Sequence, residues 1–348
     1  MTSNYEGTAY FCCKSNNTEF TIFYTKQPLI RTYSYERGVE EVDDIITVHF
    51  SRDCILAKGE CSPLPSFFNV DVSVVLNQLE DIAHMVCSYS GHNDKADILE
   101  QISSGPARNA IDSVLLDFEC KRNKTDIWTL LGLRTQESVS VYHTLELDSI
   151  GLLFDRLQEI KSYVRKLKLK LGSTNDDIDR LKLVRDVIPN CELIIDVNEG
   201  WDFKTLMSMI PFCEKYDVLM IEQPLPRGAD KELKSFKSLV PIFADESFHT
   251  VDQLPEIAKC YDGVNIKLDK IGGLTAALDA IEKAKALGLD TMIGCLGGSS
   301  LSSAPGYVAA QKASFVDLDN HLWLQFDRHC SLGGLVGHMA SPAADLWG

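Results

Sequence analysis

From about residue 138 onward, short apolar runs alternate with amphipathic stretches. The runs fall at 139–147, 166–171, 193–197, 218–222, 242–245, 264–268, 291–295 and 315–318, each of strand length. Between them, apolar residues recur every three or four positions at 150–164, 177–188, 203–215, 231–238, 252–260, 274–287 and 300–312, the spacing of a helix with one buried face. Gly288 follows the sixth stretch as a C-terminal cap. Eight strands alternating with helices predict a (β/α)8 barrel with a modified second or last unit; a doubly wound open sheet is the alternative. The first 135 residues read differently. Runs at 20–24, 44–50 and 55–59 predict antiparallel strands, and 72–87 and 107–121 predict helices, an α+β unit ahead of the barrel. Residues 1–15 read as an irregular extension.

Composition narrows the partners more than the fold. The 348 residues carry a formal net charge of -16, which argues against nucleic acid or an anionic membrane surface as partner. The eleven cysteines show no zinc spacing and read as reduced thiols serving as small hydrophobes. The first fifteen residues have neither a basic nor an apolar signal region, so the reading is cytoplasmic. The uncharged stretch 291–311 holds four Gly, four Ser and Pro305, which predicts strand, loop and helix start rather than a membrane span. Oligomeric state stays open, a homo-oligomer being one arrangement the sequence allows.

Three runs end in an acid: Asp196, Glu222 and Asp245, spaced 26 and 23 residues apart, about one strand–helix unit each. Buried parallel strands would bring these acids to one mouth of the barrel. Three gathered carboxylates repel one another unless a cation sits among them, and an oxygen-only set suits Mg²⁺. Each acid serving instead as a helix N-cap is the competing reading.

Lys166, Lys168 and Lys170 alternate with leucines, so one strand face carries all three. In a closed barrel that face is the lumen, and Lys170 reaches the mouth. The neighbouring Lys168 ammonium and a nearby metal would lower the pKa of Lys170 toward that of a usable base. Lys267 ends the sixth run, nearly opposite. Two lysines facing each other across a metal suit a 1,1-proton transfer: one removes the α-proton of a carboxylate and the other returns a proton to the opposite face, the metal stabilising the enolate. Asp317 and Asp319, two apart at the last run, share a face and suit an ammonium group; a surface loop is the plainer alternative.

The set Lys168-Leu-Lys170, Asp196-Val-Asn-Glu-Gly-Trp201, Ile221-Glu-Gln-Pro224, Ala244-Asp-Glu-Ser247 and Asn265-Ile-Lys-Leu-Asp-Lys-Ile-Gly-Gly273, joined by Asp317-Leu-Asp319, resembles the enolase superfamily. Within it, the pattern is similar to the muconate-lactonizing-enzyme subgroup and its dipeptide epimerases, most closely the enterobacterial type acting on L-Ala-D/L-Glu. The resemblance runs from roughly Pro28 to Trp323 and includes Gly59-Glu-Cys-Ser-Pro63, Ala107-Arg-Asn-Ala-Ile-Asp112 and Gly294-Cys295. It implies a modified TIM-type barrel over 136–319, with 1–135 as an α+β capping domain to which 320–348 returns. It also implies Lys170 and Lys267 as the acid/base pair, Lys168 as support, Asp196, Glu222 and Asp245 as ligands of one Mg²⁺, and Cys295 at the substrate. Asp317 and Asp319 would bind the dipeptide's α-ammonium, while the carboxylate of its C-terminal residue chelates the metal.

Specificity for that second residue would lie in the capping loop. Arg37 would meet a glutamate side chain, whereas an alignment that puts Glu40 there favours a cationic one. Gly297-Gly298-Ser299 stand where many subgroup members carry a Glu, a departure shared with the enterobacterial type. The implied activity is Mg²⁺-dependent epimerisation of a dipeptide, as in recycling of cell-wall peptides. The alternatives are an o-succinylbenzoate synthase or muconate cycloisomerase reaction, whose dicarboxylate substrates Asp317 and Asp319 would repel, and a binding protein that has lost catalysis.

Overall fold

The computed structural model describes residues 7–35, 38–134, 138–172, 176–332 and 337–348. Four antiparallel strands come first: β1 (Ala9–Ser15), β2 (Thr18–Tyr35), β3 (Gly38–Arg52) and β4 (Ile55–Cys61), paired in that order. Phe20, Ile22, Ile46, Val48, Phe50 and Ala57 project from this sheet into a core shared with the Pro106–Asn123 helix. The helix approaches so closely that a Cβ on Gly59 would lie 2.4 Å from the Ala110 carbonyl oxygen, which explains the glycine in β4.

A short strand β5 (Ser138–Ser140) follows, and then the parallel strands β6 (His143–Leu145), β7 (Lys166–Lys170), β8 (Glu192–Asp196), β9 (Val218–Glu222), β10 (Ile242–Ala244), β11 (Gly263–Lys267), β12 (Asp290–Gly294) and β13 (Phe315–Asp317). Tyr142 N donates to Val316 O (2.8 Å), bringing the first of the eight against the last. The eight-stranded barrel is thereby all but closed. Tyr142, Ile194, Met220, Phe243 and Met292 fill its lumen as an apolar plug, so polar chemistry is confined to the mouth. A last strand, β14 (His338–Ala340), pairs with β5. Trp347 and Gly348 hydrogen-bond Ser113 O and Asp117 Oδ1 of the long first-domain helix. Among the described residues, no helix is long and apolar enough to cross a membrane.

Several elements differ from the sequence reading. Ala9–Ser15 is not irregular: it is an edge strand, hidden from pattern reading because only Cys13 on it is buried. β2 and β3 run far past their apolar segments as a half-buried ribbon reaching over the barrel mouth. The run 139–147 splits into β5, outside the barrel, and β6. The expected helix at 72–87 breaks at Ile82 into Val72–Asp81 and Ala83–Ser88, and helix His92–Glu100 had no apolar face to announce it. The last unit is modified as expected, β13 being followed by a 3₁₀ turn at Asn320–Trp323, but the connections after β9 and β10 are short as well: a 3₁₀ turn at Asp230–Ser235, and short turns over Val251–Gln253 and Leu254–Ile257.

Candidate active site

Register places the chemistry in one ring. Lys170 pairs with Asp196 and Asp196 with Glu222 across β7, β8 and β9. Opposite them, Lys267 pairs with Gly294 and Gly294 with Asp317 across β11, β12 and β13. Asp245 directly follows β10. Asp196, Glu222, Asp245, Lys267 and Asp317 each sit two residues beyond a lumen residue (Ile194, Met220, Phe243, Asn265 and Phe315), and Lys170 sits two beyond Lys168, so strand alternation aims them above the plug.

Lys168 is the hub. Its Nζ lies 2.6 Å from Asp317, 2.8 Å from Glu222 and 3.0 Å from Asp196. Burial alone would lower its pKa, but these three acids outweigh burial and hold the ammonium above its ordinary range. Lys170 Nζ shares Asp196 Oδ2 at 2.7 Å and also reaches Asn198 Oδ1 at 2.7 Å. Lys267 Nζ meets Asp245 Oδ2 at 2.7 Å; burial opposes its charge, but Asp245 and Glu222 hold the ammonium above its usual range. Lys168 and Lys170 thus meet at Asp196, on the side of the mouth away from Lys267.

Burial pushes the Glu222 carboxyl up to about 7, with Asp196 adding to it, and its Oε2 makes no well-formed hydrogen bond despite the nearby Lys168. Asp196 and Asp245 lie below the ordinary carboxylate range: burial opposes this, but Lys168 and Lys170 overcome it at Asp196, and Lys267 and Lys270 at Asp245. Three buried acids on adjacent strand ends therefore demand positive charge. Among the described residues no three acid, histidine or cysteine side chains are arranged, as they stand, to hold a metal ion; lysine ammonium groups sit among the acids and neutralise them. The donor set, all carboxylate oxygen with one under-bonded, fits a hard divalent cation.

Asp317 and Asp319 are held by one residue of the neighbouring strand: Thr144 donates through N to Asp319 (2.8 Å) and through Oγ1 to Asp317 (3.2 Å). Burial, then Asp317, raises Asp319 to about 7. Cys295 donates to Asp317 O (3.2 Å). These residues, with Lys168, Lys170 and Lys267, line a cavity whose opposite wall is formed by Tyr33, Tyr35, Glu40, Val42, Asp43 and Phe67 of the capping half. Glu40 stands on its outer wall and accepts from Tyr35 Oη (3.3 Å); Arg37 lies outside the described residues.

Sequence reasoning missed several neighbours. Asn265 donates to Glu222 (2.6 Å), and its side chain fits because Gly294 lacks a Cβ, which would fall 2.5 Å from it. Its place two residues before Lys267 was a readable signal. Lys270 grips Asp245 (2.6 Å), while Asn198 links Lys170 to Glu246 (3.1 Å). Asn198 lies inside the Asp196–Trp201 motif, whereas Thr144 and the capping aromatics carry no local pattern.

Comparison with known proteins gives three kinds of likeness. The family model described as enolase C-terminal domain-like matches residues 153–332. An N-acetyl-D-glutamate racemase of Pseudoalteromonas sp is 35% identical over 75% of this chain and 82% of its own length. The L-Ala-D/L-Glu epimerase of Escherichia coli (strain K12) is 30% identical over 91% of this chain and 98% of its own. Among solved structures, an enolase family member from Agrobacterium tumefaciens with homology to dipeptide epimerases, holding sodium and L-Ala-L-Glu, superposes with a TM-score of 0.90 at 31% identity, covering 95% of this chain and all of that one.

Proposed function

The chain belongs to the enolase C-terminal domain-like family, and we propose that it is a Mg²⁺-dependent epimerase inverting the Cα of the C-terminal residue of a dipeptide. The observation that carries this is the pair Lys170 and Lys267, on β7 and β11, which line one cavity and are each ion-paired to a buried strand-end acid, Asp196 or Asp245. An α-proton beside a carboxylate is very weakly acidic, so a base alone does not suffice. A divalent cation held by Asp196, Glu222 and Asp245 would supply the positive charge that the substrate carboxylate needs as its α-proton leaves. One lysine, neutral, takes that proton; the other, as ammonium, delivers one to the opposite face. Lys168 keeps Asp317 drawn toward Asp196 and Glu222, so the substrate's nitrogen and its α-carbon are located from one rigid point.

Asp317 and Asp319 support a free α-ammonium as the group bound at β13, because an acetyl methyl in its place offers two buried acids no hydrogen-bond donor. A second reading, racemisation of an N-acylated amino acid, is favoured by the likeness to the N-acetyl-D-glutamate racemase. The two separate in D₂O with Mg²⁺: a panel of dipeptides and N-acetyl amino acids would be followed by mass shift at Cα. Deuterium entry into dipeptides supports the first reading, and entry into N-acetyl substrates alone replaces it with the second. Lys170→Ala and Lys267→Ala should each abolish inversion, while each still exchanges the α-proton of a different epimer. Loss of all exchange in both variants would sink the two-face assignment.

A further inference from the structure

Each of the two opposed lysines meets one aromatic ring from the capping half. Lys170 Nζ lies 5.9 Å from the centroid of Tyr33, and Lys267 Nζ lies 5.3 Å from that of Phe67, whose ring Lys270 Nζ also approaches at 6.0 Å. Tyr33 comes from β2; Phe67 comes from the short helix Pro65–Phe68 that follows β4. Both rings line the cavity with the lysines they face.

Each ring is also fixed from behind. Tyr33 packs edge-on against Trp323 (4.8 Å), whose own ring carries the Arg31 guanidinium at 4.7 Å. Arg31 is in turn paired with the buried Glu146 at 3.1 Å, so a chain of contacts runs from the end of β6 to the ring over Lys170. Phe67 is 2% exposed and lies between Phe68 (5.2 Å) and His249 (5.8 Å).

We infer that Tyr33 and Phe67 are paired positioning residues, one per lysine, each fixing its lysine's amino group toward the substrate and keeping bulk water from it. The inference rests on the two-lysine reading above. A lysine head on a flexible four-carbon stem has many orientations, of which few reach a given α-proton. Asp196 and Asn198 hold Lys170 from the barrel wall, and Asp245 holds Lys267. The ring supplies the opposing side: its electron-rich face attracts an ammonium, and its bulk excludes solvent that would otherwise strip or replace the transferred proton.

The test compares wild type, Tyr33→Leu, Phe67→Leu and Tyr33→Phe in D₂O with Mg²⁺ supplied, on each epimer of one accepted dipeptide. Inversion uses both lysines, so either leucine variant should slow it tenfold or more in both directions. Deuterium entry into unreacted substrate uses only the lysine facing that epimer's α-proton. Tyr33→Leu should therefore suppress entry into one epimer and Phe67→Leu into the other, while Tyr33→Phe, which keeps the ring, stays within twofold of wild type. A wild type that exchanges nothing refutes the two-lysine reading itself. A wild type that exchanges, with the leucine variants unaffected or slowed equally on both epimers, overturns the aromatic assignment alone. If Phe67→Leu fails to fold, Tyr33, the less buried of the two rings, decides: loss on a single epimer supports the inference, and equal or no loss overturns it.

Discussion

Glu40 and Asp43 are the two carboxyl side chains that the capping strands bring to the cavity, and among the described residues those strands bring no basic side chain to it. A glutamate side chain on the second residue of a dipeptide would meet Glu40 across that wall with like charge. Two unit charges 5 Å apart interact by about 3 kcal/mol at an effective dielectric of 20. Screening at this half-buried position reduces that figure, but a fraction of it still governs preference. Glu40→Gln removes the charge and keeps a hydrogen-bonding partner for Tyr35. It should raise kcat/KM for L-Ala-L-Glu at least threefold relative to L-Ala-L-Lys. A ratio that does not move would take Glu40 out of the specificity wall and leave the second side chain to be read elsewhere.

Among the elements, β9 and the Phe203–Lys215 helix match the sequence pattern to the residue, because both bury a continuous apolar face whose period is local information. The distal halves of β2 and β3 do not, since a ribbon over a cavity buries neither face fully. The same distinction runs through the site. Strand-end acids and lysines are legible because parallel strands share a register, whereas Tyr33, Phe67 and Asp43 arrive from another domain, and no local spacing encodes that meeting. The turn after β12 shows how close it is. Asp43 of β3 accepts from Gly298 N (2.5 Å), and a Cβ on Gly297 would fall 2.3 Å from its carboxylate. Gly297→Ala therefore overpacks the joint, which costs about 1–3 kcal/mol. Asp43→Ala should relieve part of that cost in the double variant. Strictly additive changes in urea midpoints for the two substitutions would mean that the contact is not what keeps position 297 glycine.

Across the whole molecule, the capping half meets the barrel through buried acids. Asp269, just beyond β11, accepts from Asn109 of the long first-domain helix (2.7 Å). Burial pushes its carboxyl up to about 8, Asn109 opposing, while burial raises Asp43 to about 7. Arg328 meets Glu60 and Ser299 nearby, so the seam is not all neutral. A carboxyl raised in the folded state prefers its proton there, so these two groups cost nothing below about pH 4, where the unfolded chain is also protonated. The cost grows as pH rises through 4 to 8, because only the unfolded state then ionises freely, and it is complete above the folded values. Stability from this seam should accordingly fall with rising pH, opposite to the trend of the lowered acids Asp196 and Asp245, whose contribution is lost only in strong acid. Asp269→Asn keeps an oxygen for Asn109 and removes the titration. Urea midpoints measured from pH 5 to 8.5 should decline less steeply in the variant than in the wild type. Parallel declines would show that Asp269 does not hold a proton at the joint, and that the two halves are joined there by an ionised acid instead.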